Sequence, residues 1–196
     1  MESIRLIVHT KTCNLISIDK QLILFASLVL FLFAGCAKSY TFKGRQDVYS
    51  ILEKTVPKQS KRYIGLPYKL GSNPDRLPST DCSNLISAIT RNSVDDYGLE
   101  FSPYYLQSSK IYENSHKITK KEARTGDLMF FRQSKPEGNH VGIIVKKEKG
   151  NFYFVHASST VGVTITSTAS PPWEYYWKNR FHSYRRWNMN VFLELN

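Results

Sequence analysis

Apolar and polar positions are arranged along this chain in three ways. Residues 22–35 form one apolar run without a charge, from Leu22 to Gly35. Between residues 45 and 56, Val48, Ile51, Leu52 and Val56 recur at spacings near 3.6, which predicts an amphipathic helix. Leu85, Ile86 and Ile89 mark the inner face of a second helix that starts after Asp81, a good cap residue. A third, short helix is expected within residues 104–112. The turn-rich Ile64-Gly65-Leu66-Pro67-Tyr68 and residues 71–80, rich in Gly, Ser, Asn and Pro, read as connections. From Gly126 onward the pattern shortens. Residues 128–131, 141–147, 152–156 and 161–165 are β-branched or aromatic runs of strand length, and residues 136–139 and 149–151 suit hairpin loops. Helices first and an antiparallel sheet afterwards make an α+β domain, and no internal repeat interrupts it. One domain over residues 44–196 is the expectation.

The apolar run at residues 22–35 is shorter than the roughly 18 or more residues of a comfortable membrane span. It follows Arg5, Lys11 and Lys20, as the core of an export signal does. It ends in Phe33-Ala34-Gly35-Cys36, which resembles the lipobox of bacterial lipoproteins. That resemblance implies a signal peptide over residues 1–35 and a lipid (palmitate-bearing) anchor on Cys36 at the head of a tether, residues 36–43. Ala37 after the lipid cysteine implies the outer membrane, facing the periplasm, if the host is Gram-negative. An uncleaved anchoring helix ending at Gly35 is the alternative. Either route takes the chain out of the cytoplasm.

Composition then narrows the partners. The 196 residues are 41% hydrophobic and 22% charged, which excludes a disordered or fibrous chain. The net charge of +11 calls for anionic partners. For an exported protein these are cell-wall polymers and anionic lipid heads rather than nucleic acid. Of the three cysteines, Cys13 falls in the signal and Cys36 in the lipid attachment, which leaves Cys82 as a lone thiol.

Cys82 sits at a helix start, where unpaired N–H groups favour thiolate. His140 opens one predicted strand and His156 closes the next, so a hairpin makes them neighbours. A helix packed on that sheet would let Cys82 face His140 while His156 orients the imidazole from behind, the order of nucleophile, base and orienter. A free thiol titrates near pKa ~8.5, and a His partner can lower this to roughly 3–4. A buried, inert Cys82 and satisfied histidines are the plainer reading of the same residues. No metal and no cofactor is expected, because the short-range Cys/His pairs of a zinc site are missing. His116 and His182 read as surface residues, and Tyr112 and Tyr175 as packing.

Five segments occur in a fixed order: Gly65-Leu66-Pro67-Tyr68-Lys69-Leu70-Gly71, Asp81-Cys82-Ser83-Asn84-Leu85, Gly126-Asp127-Leu128-Met129-Phe130-Phe131, His140-Val141-Gly142-Ile143 and Phe154-Val155-His156-Ala157-Ser158. Together they resemble the NlpC-type cell-wall cysteine peptidases, a papain-like family. The later Val161-Gly162-Val163 and the segment from Tyr176-Trp177 to Arg185-Arg186 resemble that family's C-terminal end, so the likeness spans about residues 60–187. It implies N-terminal helices, with the Cys at a helix start, packed on an antiparallel sheet. The implied activity is hydrolysis of peptidoglycan stem peptides at the bond between D-glutamate and a diamino acid, through a thioester acyl-enzyme. By the same resemblance Cys82 would be the nucleophile, His140 the base and His156 the orienting residue. Tyr68 would lie beside the oxyanion and substrate, and Asp81 and Ser83 on the specificity side. Asn84 and Ser72 stand where the family usually has Gly, and Thr125 where Pro is common. A non-catalytic wall- or partner-binding module, and a papain-like amidase or acyltransferase, are the competing readings. An intact Cys82, His140 and His156 set speaks against the first, and Cys82 preceding both histidines against the second.

Overall fold

The computed structural model describes residues 45–102, 104–132 and 140–194. The expected signal peptide, Cys36, the tether and the loop at 136–139 lie outside the described residues. Helix α1 spans Arg45–Ser60 and helix α2 spans Cys82–Val94. A short strand β1, Leu99–Phe101, precedes the one-turn-and-a-half helix α3, Ser108–Glu113, and strand β2, Ser115–Ile118. Strands β3 (Leu128–Phe131), β4 (His140–Glu148), β5 (Asn151–Ser158) and β6 (Gly162–Ser167) come next. Short helical turns over Trp173–Trp177 and Lys178–Arg180 lead into β7 (Phe181–Trp187) and β8 (Phe192–Glu194).

The main sheet is antiparallel with strand order β2-β7-β3-β4-β5-β6, and β1 pairs with β8 as a separate ribbon. Both faces of the main sheet are covered. On one, Val48, Ile51, Leu52, Leu85, Ile86 and Ile89 of the two helices pack against Leu128, Phe130, Val141, Ile143 and Val155. On the other, Met129, Phe131, Ile144, Phe152 and Phe154 meet Trp173 and Trp177. This two-sided burial explains why Leu128-Met129-Phe130-Phe131 reads as an unbroken apolar run instead of an alternating one. Among the described residues, no helix is long and apolar enough to cross a membrane.

The expected helices and strands are present, most of them longer by a few residues than the sequence suggests. α1 runs past Val56 to Ser60 and carries Pro57 in its last turn, where proline has no N–H to donate to the Glu53 carbonyl. β7 is not legible in the sequence because Phe181-His182-Ser183-Tyr184-Arg185-Arg186-Trp187 is neither an unbroken apolar run nor an alternating one. Its two arginines are individually satisfied instead. Arg185 lies 3.7 Å over the Tyr112 ring and donates to Ser115 Oγ and the Tyr112 carbonyl, each at 3.0 Å. Arg186 grips Asp127 with two hydrogen bonds, Nε to Oδ1 at 2.7 Å and the terminal nitrogen to Oδ2 at 2.8 Å, and donates to the Glu122 carbonyl. Asp127 also accepts the Arg124 N–H at 2.8 Å, which closes the turn leading into β3. Tyr49 of α1 donates to the Trp187 carbonyl at 3.0 Å and fastens the helix to β7. His182, read as a surface residue, is half-buried edge-on against Tyr112, whereas His116 is exposed as expected.

Replacing Asp127 leaves the Arg186 guanidinium without its bidentate partner. Asp127→Ala is expected to lower stability by about 2–3 kcal/mol in urea unfolding. A loss under about 0.5 kcal/mol would show the pair to be incidental.

Candidate active site

Asp81 ends the loop before α2, and its carboxylate organises both that loop and the first turn of the helix. Oδ1 accepts the Asn84 N–H at 2.8 Å and the Ser83 hydroxyl at 2.9 Å. Oδ2 accepts the Gly71 N–H at 2.8 Å and the Asn84 side-chain amide at 3.1 Å. The first of these is the N-cap of α2, and the Gly71 bond ties the preceding loop to that cap. Ser72, buried, turns its hydroxyl inward to Ser79. The loop is held again farther along, where Asp75 pairs with Arg91 of α2 and accepts the Tyr105 hydroxyl at 2.8 Å.

These restraints shape a cavity of about 460 Å³ with Cys82, Tyr68, Asp81, Ser83, Asn84 and Tyr105 on its walls. Tyr68 reaches it from a short parallel bridge to Thr80. The segment before Tyr68 is pinned to β6, since the Gly65 N–H donates to the Val163 carbonyl and the Val163 N–H to the Leu66 carbonyl. Gly162 is required there: it holds φ +74°, and a Cβ would stand 2.4 Å from the Leu66 carbonyl oxygen. The structure therefore gathers Tyr68, Asp81, Cys82 and Ser83 on one cavity, which His140 and His156 do not line. Asn84 lines it as well and Ser72 does not.

Cys82 is the first residue of α2, nearly buried, and a free thiol. Burial pushes its pKa up, to about 11. The Val141 N–H opposes this most, and the N–H groups of Ser83 and of Cys82 itself also favour the thiolate, while the Asp81 charge disfavours it. The helix start thus acts in the expected direction, yet desolvation outweighs it. Tyr68 is likewise held above its usual value, by burial first and then by Cys82 and Asp81.

His140 and His156 meet directly, His140 Nε2 lying 3.2 Å from His156 Nδ1. His156 Nε2 lies 3.0 Å from Thr166 Oγ1. Trp177 stacks on the His140 ring, centroids 4.9 Å apart and planes at 20°, and stands edge-on to His156 at 4.7 Å. Gly142 lets β5 pack closely beside the pair, because a Cβ on it would lie 2.8 Å from the Phe154 ring and 3.0 Å from the Val155 carbonyl. Burial lowers both imidazole pKa values. That of His156 falls to about 4, and that of His140 is well below its usual range, with the neighbouring His156 adding to the effect. Both rings are neutral at neutral pH. The thiol meets the strand of His140 at Val141, and among the described residues it makes no hydrogen bond to the imidazole at rest. Thr166 and Trp177 are partners of the histidines to which the sequence assigns no role. Trp177 stood within the segment resembling the family's C-terminal end, whereas nothing in the sequence singled out Thr166. Among the described residues no cluster of three His, Cys, Asp or Glu side chains could hold a metal ion.

A thiol with a pKa near 11 reacts through a small thiolate fraction that grows with pH. Iodoacetamide modification of Cys82 in the full-length chain, followed by peptide mass spectrometry, is expected to be slow at pH 7. It should accelerate about tenfold per pH unit until the thiol titrates. A rate already level at pH 7 would mean that the resting sulfur is a thiolate.

The NlpC/P60 family pattern matches residues 65–186. The murein DD-endopeptidase MepS/murein LD-carboxypeptidase of Escherichia coli is 32% identical over 158 residues, covering 76% of this chain and 74% of that protein. A probable endopeptidase of Haemophilus influenzae is 30% identical over 170 residues, covering 83% and 95%. A solved Staphylococcus aureus structure, described as similar to lipoprotein and of the NLP/P60 family, superimposes with a TM-score of 0.51 at 22% identity. The match takes in 84% of this chain and 48% of that one, so the chain spans about half the length of that structure, and the likeness is one of fold. With its five ordered motifs inside the matched range, the chain belongs to the NlpC/P60 family.

Proposed function

We propose that this protein is a cysteine-type peptidoglycan endopeptidase that works through Cys82, His140 and His156. The observation that carries the reading is a free thiol at a helix start, opening on a 460 Å³ cavity, beside the strand whose His140 is hydrogen-bonded to His156. Relatives named as murein and peptidoglycan endopeptidases support it.

In the proposed cycle the Cys82 sulfur attacks the scissile carbonyl as its proton passes to His140 Nδ1, the nitrogen that His156 leaves unused. The oxyanion forms near the Cys82 N–H and the Tyr68 hydroxyl, which border the same cavity. His140 returns the proton to the departing amine, and a thioester remains on Cys82. Water, deprotonated by the same imidazole, hydrolyses the thioester and restores the thiol. General acid–base help of this kind contributes about 10²–10⁴-fold. Asp81 contributes through position, since its four accepted hydrogen bonds commit both oxygens to the loop and cap.

The bond cleaved has two candidates. The family resemblance favours the one between D-glutamate and a diamino acid, and a Bacillus licheniformis relative is named a peptidoglycan DL-endopeptidase. The E. coli relative, matched over more of both chains, is named a DD-endopeptidase, which favours a cross-link between two D-centres. The binding-module reading would leave the wall intact.

We also propose that residues 1–35 direct export and that Cys36 carries a lipid anchor, which would hold the enzyme close to a membrane facing the wall.

Digestion of purified peptidoglycan by the full-length protein is expected to release new stem-peptide fragments in mass spectrometry, and their masses would name the bond. Cys82→Ala and His140→Ala should each reduce release at least about 10³-fold. A folded parent that binds wall material without cutting it would favour the binding module. In cells, a Cys36→Ser variant is expected to lose both the incorporation of labelled palmitate and its place in the membrane fraction. Unchanged labelling would move the anchor elsewhere.

A further inference from the structure

The hydrogen-bond line that begins at His140 continues beyond His156 to Thr166. Thr166 stands on β6 opposite Phe154, one step along the same face from Thr164, which is paired with His156. A same-face diagonal of this kind is within reach of a histidine ring. Both partners are nearly inaccessible, His156 at 1% and Thr166 at 6% exposure. The Thr166 side chain also borders a second cavity of about 610 Å³, walled by Tyr153, His156, Ser158, Tyr176 and Trp177.

A neutral imidazole carries one N–H and one bare nitrogen, so the protons along this line have two self-consistent arrangements. In the first, Thr166 Oγ1 accepts from His156 Nε2–H, and His156 Nδ1 accepts from His140 Nε2–H. His140 Nδ1 is then bare and can take a proton from a thiol. In the second, Thr166 donates to His156 Nε2, His156 Nδ1–H donates to His140 Nε2, and His140 Nδ1 carries a hydrogen. That arrangement offers the thiol no base. The choice between them is made at the end of the line, by whether the hydroxyl accepts or donates.

We propose that Thr166 is a positioning residue, whose oxygen accepts the His156 Nε2–H and so holds both imidazoles in the tautomer that leaves His140 Nδ1 basic. Its own hydroxyl proton points away from the histidines, toward the larger cavity, where solvent or a polar group can accept it. Valine at this position has the same shape and no acceptor. It leaves a buried N–H unpaired and removes the reason for His156 to keep its proton on Nε2. Serine keeps the oxygen.

The kinetic side of this inference rests on the hydrolytic reading above, whereas its tautomer side does not. Nitrogen-15 spectra of histidine-labelled full-length protein near neutral pH report which ring nitrogen of His140 and His156 is protonated. The parent is expected to show Nε2–H on both rings. Thr166→Val should lose that pattern and lower kcat about 10–100-fold with KM within about twofold, as loss of an orienting partner does. Thr166→Ser should recover both. Nδ1–H on either ring of the parent would overturn the proposal. So would a folded Thr166→Val protein with parental spectra and kcat, or a Thr166→Ser protein as impaired as the valine variant. If the parent does not cut peptidoglycan, the proposed function falls while the spectra still decide the role of Thr166.

Discussion

Two imidazoles buried side by side are the demand around which this fold is arranged. Burial disfavours the charged ring, so His140 and His156 are neutral at neutral pH. Neutral rings out of water still need their donors and acceptors matched. The match comes from three elements: β4 and β5 contribute the rings, and β6 contributes Thr166. Cover comes from a fourth, the turn that lays Trp177 across both. A sheet with one wet face could not supply this. The packing of Phe131, Phe154 and Trp173 behind the histidines therefore serves the site as much as the core.

The nucleophile side obeys a different logic. There the organising group is one carboxylate, Asp81, which accepts four hydrogen bonds and so joins the cap of α2 to the loop that carries Tyr68. Asn84, where the family usually has Gly, donates to that carboxylate as well as bordering the cavity, so the substitution adds a restraint. Ser72, the other departure, spends its hydroxyl on Ser79. Neither replacement displaces Cys82 from the cavity wall. The two departures thus act on the rigidity of the loop and on the shape of its rim.

The sequence made legible the parts of this arrangement that depend on local pattern. The helix at Cys82 and its Asp81 cap come from spacing and residue type, and the adjacency of His140 and His156 comes from hairpin geometry. Strand β7 was hidden because Arg185 and Arg186 obscure its pattern, and each arginine is reconciled with an inner strand only by partners far away in the chain. Thr166 was hidden for a related reason: a threonine in a strand is ordinary, and its value depends on a diagonal contact across β5 and β6. At Cys82 the N–H groups of the helix start favour the thiolate, as residue position suggests, and the cost of burial, which no local pattern reveals, outweighs them.

That cost bears on how the proposed chemistry would run. Three backbone N–H groups favour the Cys82 thiolate, and desolvation still holds the pKa near 11, so the resting pair is thiol and neutral imidazole. Forming a thiolate and an imidazolium before attack would place two charges in a site built to exclude both. On the proposed path, moving the proton as the sulfur attacks would pass the negative charge on to the substrate oxygen, at the rim of the cavity that Tyr68 and the start of α2 line. The positive charge that would appear meanwhile on His140 lies beside His156, whose Nδ1 stands 3.2 Å from its Nε2. On that path the burial that keeps the thiol protonated at rest would tie its reactivity to the arrival of a carbonyl.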